Sequence, residues 1–405
     1  MIASLQRLMQ ILILLLSVIG CQNTVNNEEK RLITFDLKTL PKVTTVTLSE
    51  LGFKDIKYIP LETTDSSLIQ SEYSPLSHDK ILTGDDYYIF QHYSTVLKFR
   101  NDGSFISKIG TQGRGPDEFQ VCHDVEVGND GKIYIADGIK SKFFIYSENG
   151  KLIRTVNFPL ARKYVEYIYF DGKFLCYNQN NLADIENSFN VVDTSGNIIK
   201  SFPNKYPFKR HPSAFGFNHE NIFYRFNNQI FKKEVYCDTI FSFDNLCFKP
   251  HLVIQVGEKL ITPEIRSVTE GLDIVKNYIN PFKLFEFGDY AYYEFQTEFI
   301  LFKDSKVYGF IGSKKADFEA LIDTEKGLVN DLDGGPNITP ITTKDVNTIV
   351  AMIEAIQLKA YVASDTFRNS NPKYPKKKVE LEKLANSLKE TDNPVLINVS
   401  FKNSN

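Results

Sequence analysis

One hairpin is written three times in this chain, and its spacing restricts the fold more than any other feature. Leu97 to Lys108, Phe143 to Arg154 and Asn190 to Lys200 each join a strand-like run to a polar turn ending in Gly103, Gly150 or Gly196, then to a second strand-like run. A glycine at that place supplies the positive φ of a hairpin with a bulge. The three glycines stand 47 and 46 residues apart, a period in the roughly 40–50 residue range of propeller blades. Helical solenoids of similar period need a 3.6-residue hydrophobic periodicity, which these stretches lack.

Between the hairpins a second pair of strands is legible, most clearly from Asp124 to Asp137, where alternation, a turn and alternation again precede the Gly150 hairpin. Together they make four antiparallel strands, one blade. Looser copies follow at Asn221 to Asp244 and Tyr290 to Phe310, and residues 43–330 hold about six units of this length. The expected fold is therefore all-β: a six-bladed propeller of four-stranded antiparallel blades. Five hairpins are visible, so the sixth blade has to be assembled from both chain ends, which closes the ring and removes exposed sheet edges. For that closure the β-rich run 394–402 is expected to pair with strands around Val43 to Leu48 and Ile56 to Leu61. Val346, Ile349, Val350 and Ile353 fall at helical spacing, as do Leu381, Leu384, Ala385 and Leu388. A small helical appendage is thus expected over about 343–390. The propeller itself spans 43–402.

Charge narrows the partner. Forty-seven Lys and Arg against 50 Asp and Glu leave a formal charge of -3, without the basic excess that a phosphate-backbone binder needs, so nucleic acid is excluded. The 32 Phe and 21 Tyr, with no Trp, favour strands and suit the packing between blades.

Arg7 precedes an apolar run from Ile11 to Leu16 and then Ser17-Val18-Ile19-Gly20-Cys21. The run is shorter than the roughly 20 apolar residues of a spanning helix and reads as a signal-peptide core over 1–20. Residues 21–42 then read as a tether, polar and Asn/Glu-rich at its start. Cys122, Cys176, Cys237 and Cys247 have neither CxxC nor zinc-cage spacing. They are read as small buried hydrophobes, with a Cys237–Cys247 bridge across a hairpin left open.

Val18-Ile19-Gly20-Cys21 resembles the bacterial lipobox, whose cysteine is lipidated and becomes the new N-terminus. Ile109-Gly-Thr-Gln-Gly-Arg-Gly-Pro-Asp-Glu-Phe119, followed by Asp124 to Asp137, resembles the NHL-type repeat. The chain as a whole resembles the six-bladed β-propeller lipoproteins of Gram-negative bacteria. Further matches are Tyr58-Ile-Pro-Leu-Glu-Thr63, Asn330-Asp-Leu-Asp-Gly-Gly-Pro336 and Asp392-Asn-Pro-Val-Leu396. The resemblance implies export, a lipid on Cys21, an outer-membrane location and attachment to the membrane through that lipid alone. It brings no established activity.

Candidate binding residues are Arg114, Asp117, Glu118, His123 and Asp124, on or beside the loop that leads into a first strand; propellers bind where such loops converge. The Gly110, Gly113 and Gly115 loop lacks the Lys-Ser/Thr of a phosphate cradle. His78, His123 and His211 each fall near a first strand, yet ungapped alignment sets them one residue out of step, which turns a side chain to the other face. No metal site, cofactor or catalytic residue is therefore assigned. Asp331 and Asp333 lack the remaining ligands of a calcium loop and read as a tight turn. The expected function is a monomeric binding or scaffold module for a glycan, a peptide or an outer-membrane protein. The alternative is an NHL-type lyase or hydrolase using funnel carboxylates or histidine with a metal.

Overall fold

The computed structural model describes residues 32–69, 80–158, 160, 165–213, 216–217, 219–297 and 306–402. The signal segment, Cys21 and His78 lie outside these residues. Six antiparallel sheets form a six-bladed β-propeller. Blade 1 holds strands Lys80–Thr83, Tyr87–His92, Thr95–Arg100 and Phe105–Lys108, and blade 2 Asp124–Val127, Ile133–Asp137, Lys142–Tyr146 and Leu152–Asn157. Blade 3 holds Val165–Phe170, Lys173–Asn178, Asn187–Asp193 and Ile198–Pro203. Blade 4 holds Asn221–Phe226, Gln229–Glu234, Thr239–Asp244 and Cys247–Gln255. Blade 5 holds Asn280–Phe287, Tyr290–Gln296, Val307–Ser313 and Glu319–Asp323. In blade 6 the order is Thr342–Asp345, Thr348–Ile353, Val395–Ser400 and then the early strand Asp55–Pro60. The ring is closed by Ile59 opposite Leu396 and Leu396 opposite Met352, so both chain ends share one sheet.

The repeat glycines do two things at once. Gly103, Gly150 and Gly196 have φ of +88°, +79° and +87°. A Cβ on them would stand 2.0, 2.6 and 2.2 Å from the carbonyl oxygens of Pro60, Lys108 and Asn157. Each of those carbonyls ends the outermost strand of the preceding blade, so the hairpin tip packs on its neighbour where no side chain fits. That double demand is why the period is visible in the sequence.

Packing between blades accounts for the aromatic content. Tyr134 and Phe143 of blade 2 meet Phe174 of blade 3 at centroid distances of 5.0 and 4.9 Å, inside the range of favourable aromatic pairs. Continuous apolar clusters join blade 6 to 1, 1 to 2, 2 to 3 and 3 to 4, and one more spans blades 4, 5 and 6.

Three expectations require correction. Val346 to Ile353 is not helical: it forms the turn and second strand of blade 6, where Thr348, Ile349, Val350 and Ala351 are all buried. Neighbouring blades cover both faces of the sheet, which removes the alternation that marks a half-exposed strand. The helices begin later, as described below. Val43 to Leu48 does not join the closing blade; Val43 bridges Leu321 and Thr47 bridges Val329, so this segment covers the outer edge of blade 5 with Val46 and Leu48 buried. The second half of the expected tether is also ordered. Ile33–Asp36 adds a fifth strand to blade 4, with Phe35 and Leu37 buried and the Leu37 amide donating to Gln255 O at 2.8 Å.

Two short helices, α1 (Pro263–Val268) and α2 (Gly271–Asn277), lie between blades 4 and 5 and were not anticipated. Thr262 caps α1 by accepting from the Ile265 amide, with Pro263 in the first turn. Three more, α3 (Ala355–Val362), α4 (Asp365–Asn369) and α5 (Pro375–Ser387), form the appendage. Leu358, Val362, Phe367, Leu381 and Ala385 pack there against Val395.

Candidate functional site

The first strands of all six blades face the axis and enclose a cavity of about 540 Å³. Its polar wall includes Lys80 and Gln91 from blade 1, His123, Asp124 and Glu126 from blade 2, and Glu166 and Gln179 from blade 3. Asn221 and Arg225 come from blade 4, Lys283 from blade 5, and Thr342 and Thr343 from blade 6. Ile81, Leu82, Ile168, Ile222, Leu284 and Ile341 supply the apolar part. Volume and mixed lining are those of a small-molecule site.

On one side the charges neutralise each other. Lys80 Nζ donates to Asp124 Oδ1 at 2.8 Å, to Glu126 Oε1 at 2.9 Å and to the Val125 carbonyl at 3.0 Å. The second oxygens of the acids accept backbone amides of blade 3: Tyr167 N on Asp124 at 3.0 Å and Tyr169 N on Glu126 at 3.2 Å. Arg225 reaches Glu126 from blade 4 at 3.3 Å. One cluster therefore links the first strands of four blades. Burial pushes the Glu126 carboxyl up, but Lys80 and Arg225 outweigh it and hold the group below the ordinary range. Burial dominates for Asp124, which is raised despite Lys80. Burial lowers Lys80, and the two carboxylates more than reverse that, so it stays a cation.

Glu166 has no such partner. No cation lies within ion-pair distance of it among the described residues. Burial first, and then the charge of Asp124, push its carboxyl up to about 8, against a hydrogen bond from Gln179 that lowers it. At neutral pH Glu166 is mainly a neutral acid that can donate a hydrogen bond.

Of the sequence candidates, His123 and Asp124 lie on the cavity wall. His123 Nδ1 accepts from the Gly138 amide at 2.9 Å, which leaves Nε2 to carry the proton of the neutral ring. Arg114, Asp117 and Glu118 sit off that wall, in the loop from blade 1 to blade 2. Arg114 and Asp117 are exposed there; Glu118 accepts from the Gly115 amide at 2.8 Å and Lys140 Nζ donates to Gly115 O at 2.6 Å. The Gly-rich stretch is a folded inter-blade turn. His211 is absent from the cavity wall, whereas His219 is on it. Among the described residues no cluster of three or more His, Cys, Asp or Glu is placed to hold a metal ion. Among the described residues Cys122, Cys176, Cys237 and Cys247 form no disulfide, so Cys237 and Cys247 do not bridge.

Lys80, Gln91, Glu126, Glu166 and Asn221 were missed by sequence reasoning. A signal was present: each aligned first strand carries a charged or amide residue near its start, in Lys80-Ile-Leu-Thr, Asp124-Val-Glu-Val, Val165-Glu-Tyr and Asn221-Ile-Phe-Tyr-Arg.

The other motifs are staples. Asn330 Nδ2 donates to Asp333 Oδ1 at 2.6 Å and to Tyr58 OH at 3.2 Å, and the Gly335 amide donates to Asp333 at 2.9 Å. Asn393 donates to the Glu62 and Ser67 carbonyls at 2.8 Å each. These contacts tie the turn after blade 5 and the last strand to the N-terminal strand, so Asp331–Asp333 is a tight turn. No helix among the described residues is long and apolar enough to cross a membrane.

Residues 32–400 match the model of a domain of unknown function, DUF4934, and the chain belongs to that family. Its fold is similar to that of a Bacteroides fragilis protein described as exported, at 17% identity and a TM-score of 0.63 over 92% of this chain and 99% of that one. A member of the DUF4221 family from Bacteroides vulgatus is similar at 11% identity and a TM-score of 0.50, over 86% of this chain and 96% of that one. No curated protein is similar to it in sequence.

Proposed function

We propose that this DUF4934 chain is an exported, lipid-anchored propeller that binds a small ligand in its central channel. The observation that carries the reading is the cavity on which all six first strands converge, with ionised and neutral polar groups set into an apolar wall. A packed structural ring has no need of such groups there, since an apolar axis would cost less. The anchor rests on the lipobox-like Val18 to Cys21, and it would hold the ring beside the membrane with its channel open to solutes.

A thermal-shift screen of neutral sugars, dipeptides and hydroxy acids tests the channel. Compounds that stabilise the wild type should leave Thr342→Trp unmoved, because the indole fills the cavity from its half-buried wall position. Stabilisation that survives Thr342→Trp would place binding elsewhere. Cys21→Ala should move the protein from the membrane fraction to the soluble one; retention in the membrane would remove the lipid anchor.

A further inference from the structure

Two amide side chains on the cavity wall have polar atoms without a hydrogen-bond partner among the described residues. Asn221, first residue of blade 4, is 1% exposed, and neither its Oδ1 nor its Nδ2 has a hydrogen-bond partner. Gln91, in the second strand of blade 1, is 2% exposed; its Nε2 donates to the Cys122 carbonyl at 3.1 Å, while its Oε1 has no partner. Buried polar atoms are almost always paired, and leaving them unpaired is costly.

Asn221 is nevertheless held firmly from the adjacent residue. Glu220, fully buried, is ion-paired with the buried Arg266 of α1 and also accepts from Tyr236 OH at 3.1 Å, Tyr177 OH at 3.4 Å and the Asn180 amide. Arg266 in turn lies over the rings of Phe208 and Phe217, each at 4.6 Å. The backbone carrying the free amide is thus preorganised, as a recognition group requires.

The surroundings select the ligand class. Lys80, Arg225 and Lys283 are matched by Asp124, Glu126 and Glu294, so no net charge of the wall recruits an ion, and Glu166 adds a neutral donor. The unpaired Asn221 amide carries a donor and an acceptor side by side, at the edge of the cavity and almost wholly shielded from solvent. A single trans peptide unit points its N–H and C=O in opposite directions, so a peptide meets both only by offering two successive units in an extended stretch, which a short peptide has to be ordered to do. Two neighbouring hydroxyls on a sugar ring meet both, since each hydroxyl donates and accepts. Tyr93, 70% exposed and also on the cavity wall, offers an aromatic face to the C–H side of such a ring.

We propose that the channel holds a neutral saccharide, with the Asn221 amide bridging two adjacent ring hydroxyls and Gln91 Oε1 accepting from another. This rests on the channel being the binding site. The test is calorimetry on the full chain with D-glucose, D-galactose, D-mannose and N-acetylglucosamine, beside glucuronate and a neutral dipeptide amide. At least one neutral sugar should bind, and Asn221→Leu should weaken it by about tenfold or more. Tyr93→Ala, which alters only an exposed ring, should weaken the same sugar and serves if Asn221→Leu fails to fold. Arg114→Ala, away from the cavity, should bind as wild type. Silence across the four sugars, or a sugar whose affinity neither Asn221→Leu nor Tyr93→Ala changes, overturns the proposal. Binding of the dipeptide amide or glucuronate alone, blocked by Thr342→Trp, overturns the saccharide while leaving the channel as the binding site. No channel binding by any probe overturns both.

Discussion

Two carboxyl groups on the same channel wall shift in opposite directions, Glu126 down and Glu166 up. Asp124 and Glu126 share Lys80, which stands within 2.9 Å of both, and each also accepts a backbone amide of the next blade. Glu166, one blade further round the ring, has Gln179 and, among the described residues, no cation within ion-pair distance. Burial acts on all three in the same direction; what separates Glu126 from Glu166 is where the lysine and Arg225 sit. The channel therefore has an ionised sector that binds blades together and a neutral sector with hydrogen-bonding capacity to spare. Paired and unpaired polar groups thus occupy neighbouring positions on one wall.

Removing the shared cation breaks the contrast most severely. Lys80→Met leaves two buried acids without their partner and should lower stability by about 3–5 kcal/mol, read as a shift in the denaturation midpoint with the slope unchanged. A loss no larger than that of an exposed ion pair would mean the sector is not held by charge.

The neutral sector answers to pH. The Glu166 carboxyl lies at about 8 in the folded protein and near 4.3 in an unfolded chain. Between those values the folded state keeps a proton that the unfolded state has released, so stability falls as pH rises through the window and stays lower above it. Glu126, held below its ordinary value, works the other way: its contribution is present at neutral pH and lost on acidification. Glu166→Gln should therefore raise stability at pH about 9 by on the order of 5 kcal/mol and change little at pH about 4. An equal effect at both pH values would contradict the assignment.

Arg225 gives the smallest effect and sharpens the division within the ionised sector. Its side chain is 47% exposed where it meets Glu126, so Arg225→Gln should cost about 0.5–1 kcal/mol and lose most of that effect in high salt. A cost matching that of Lys80→Met would make Arg225 an equal anchor of the acids.

How much of this was legible depended on how many demands fell on one residue. Gly103, Gly150 and Gly196 had to satisfy both a positive φ and a close backbone approach, so the first three blades announced themselves. Blade 4 turns its outer hairpin with Asn245 and Leu246, at φ of +49° and +57°, and carries no glycine there to read. The blade 6 strands were misread because Val346, Ile349, Val350 and Ile353 happen to fall at helical spacing, while burial on both faces erased the strand alternation. His123 and Asp124 were chosen for lying beside the loop into a first strand, and both line the channel. Lys80 and Glu166 were not, because their significance lies in pairing across blades that are distant in sequence, and Asn221 because an amide without a partner looks like any other amide until its surroundings are known.

The most direct test of the two-sector account is the protonation of Glu166 itself, followed by ¹³C-carboxyl NMR with Glu166→Gln used to assign the signal. A midpoint of about 8 is expected. A midpoint in the ordinary carboxylate range, near 4.3, would mean that the acid is ionised at neutral pH and that the channel has no neutral sector.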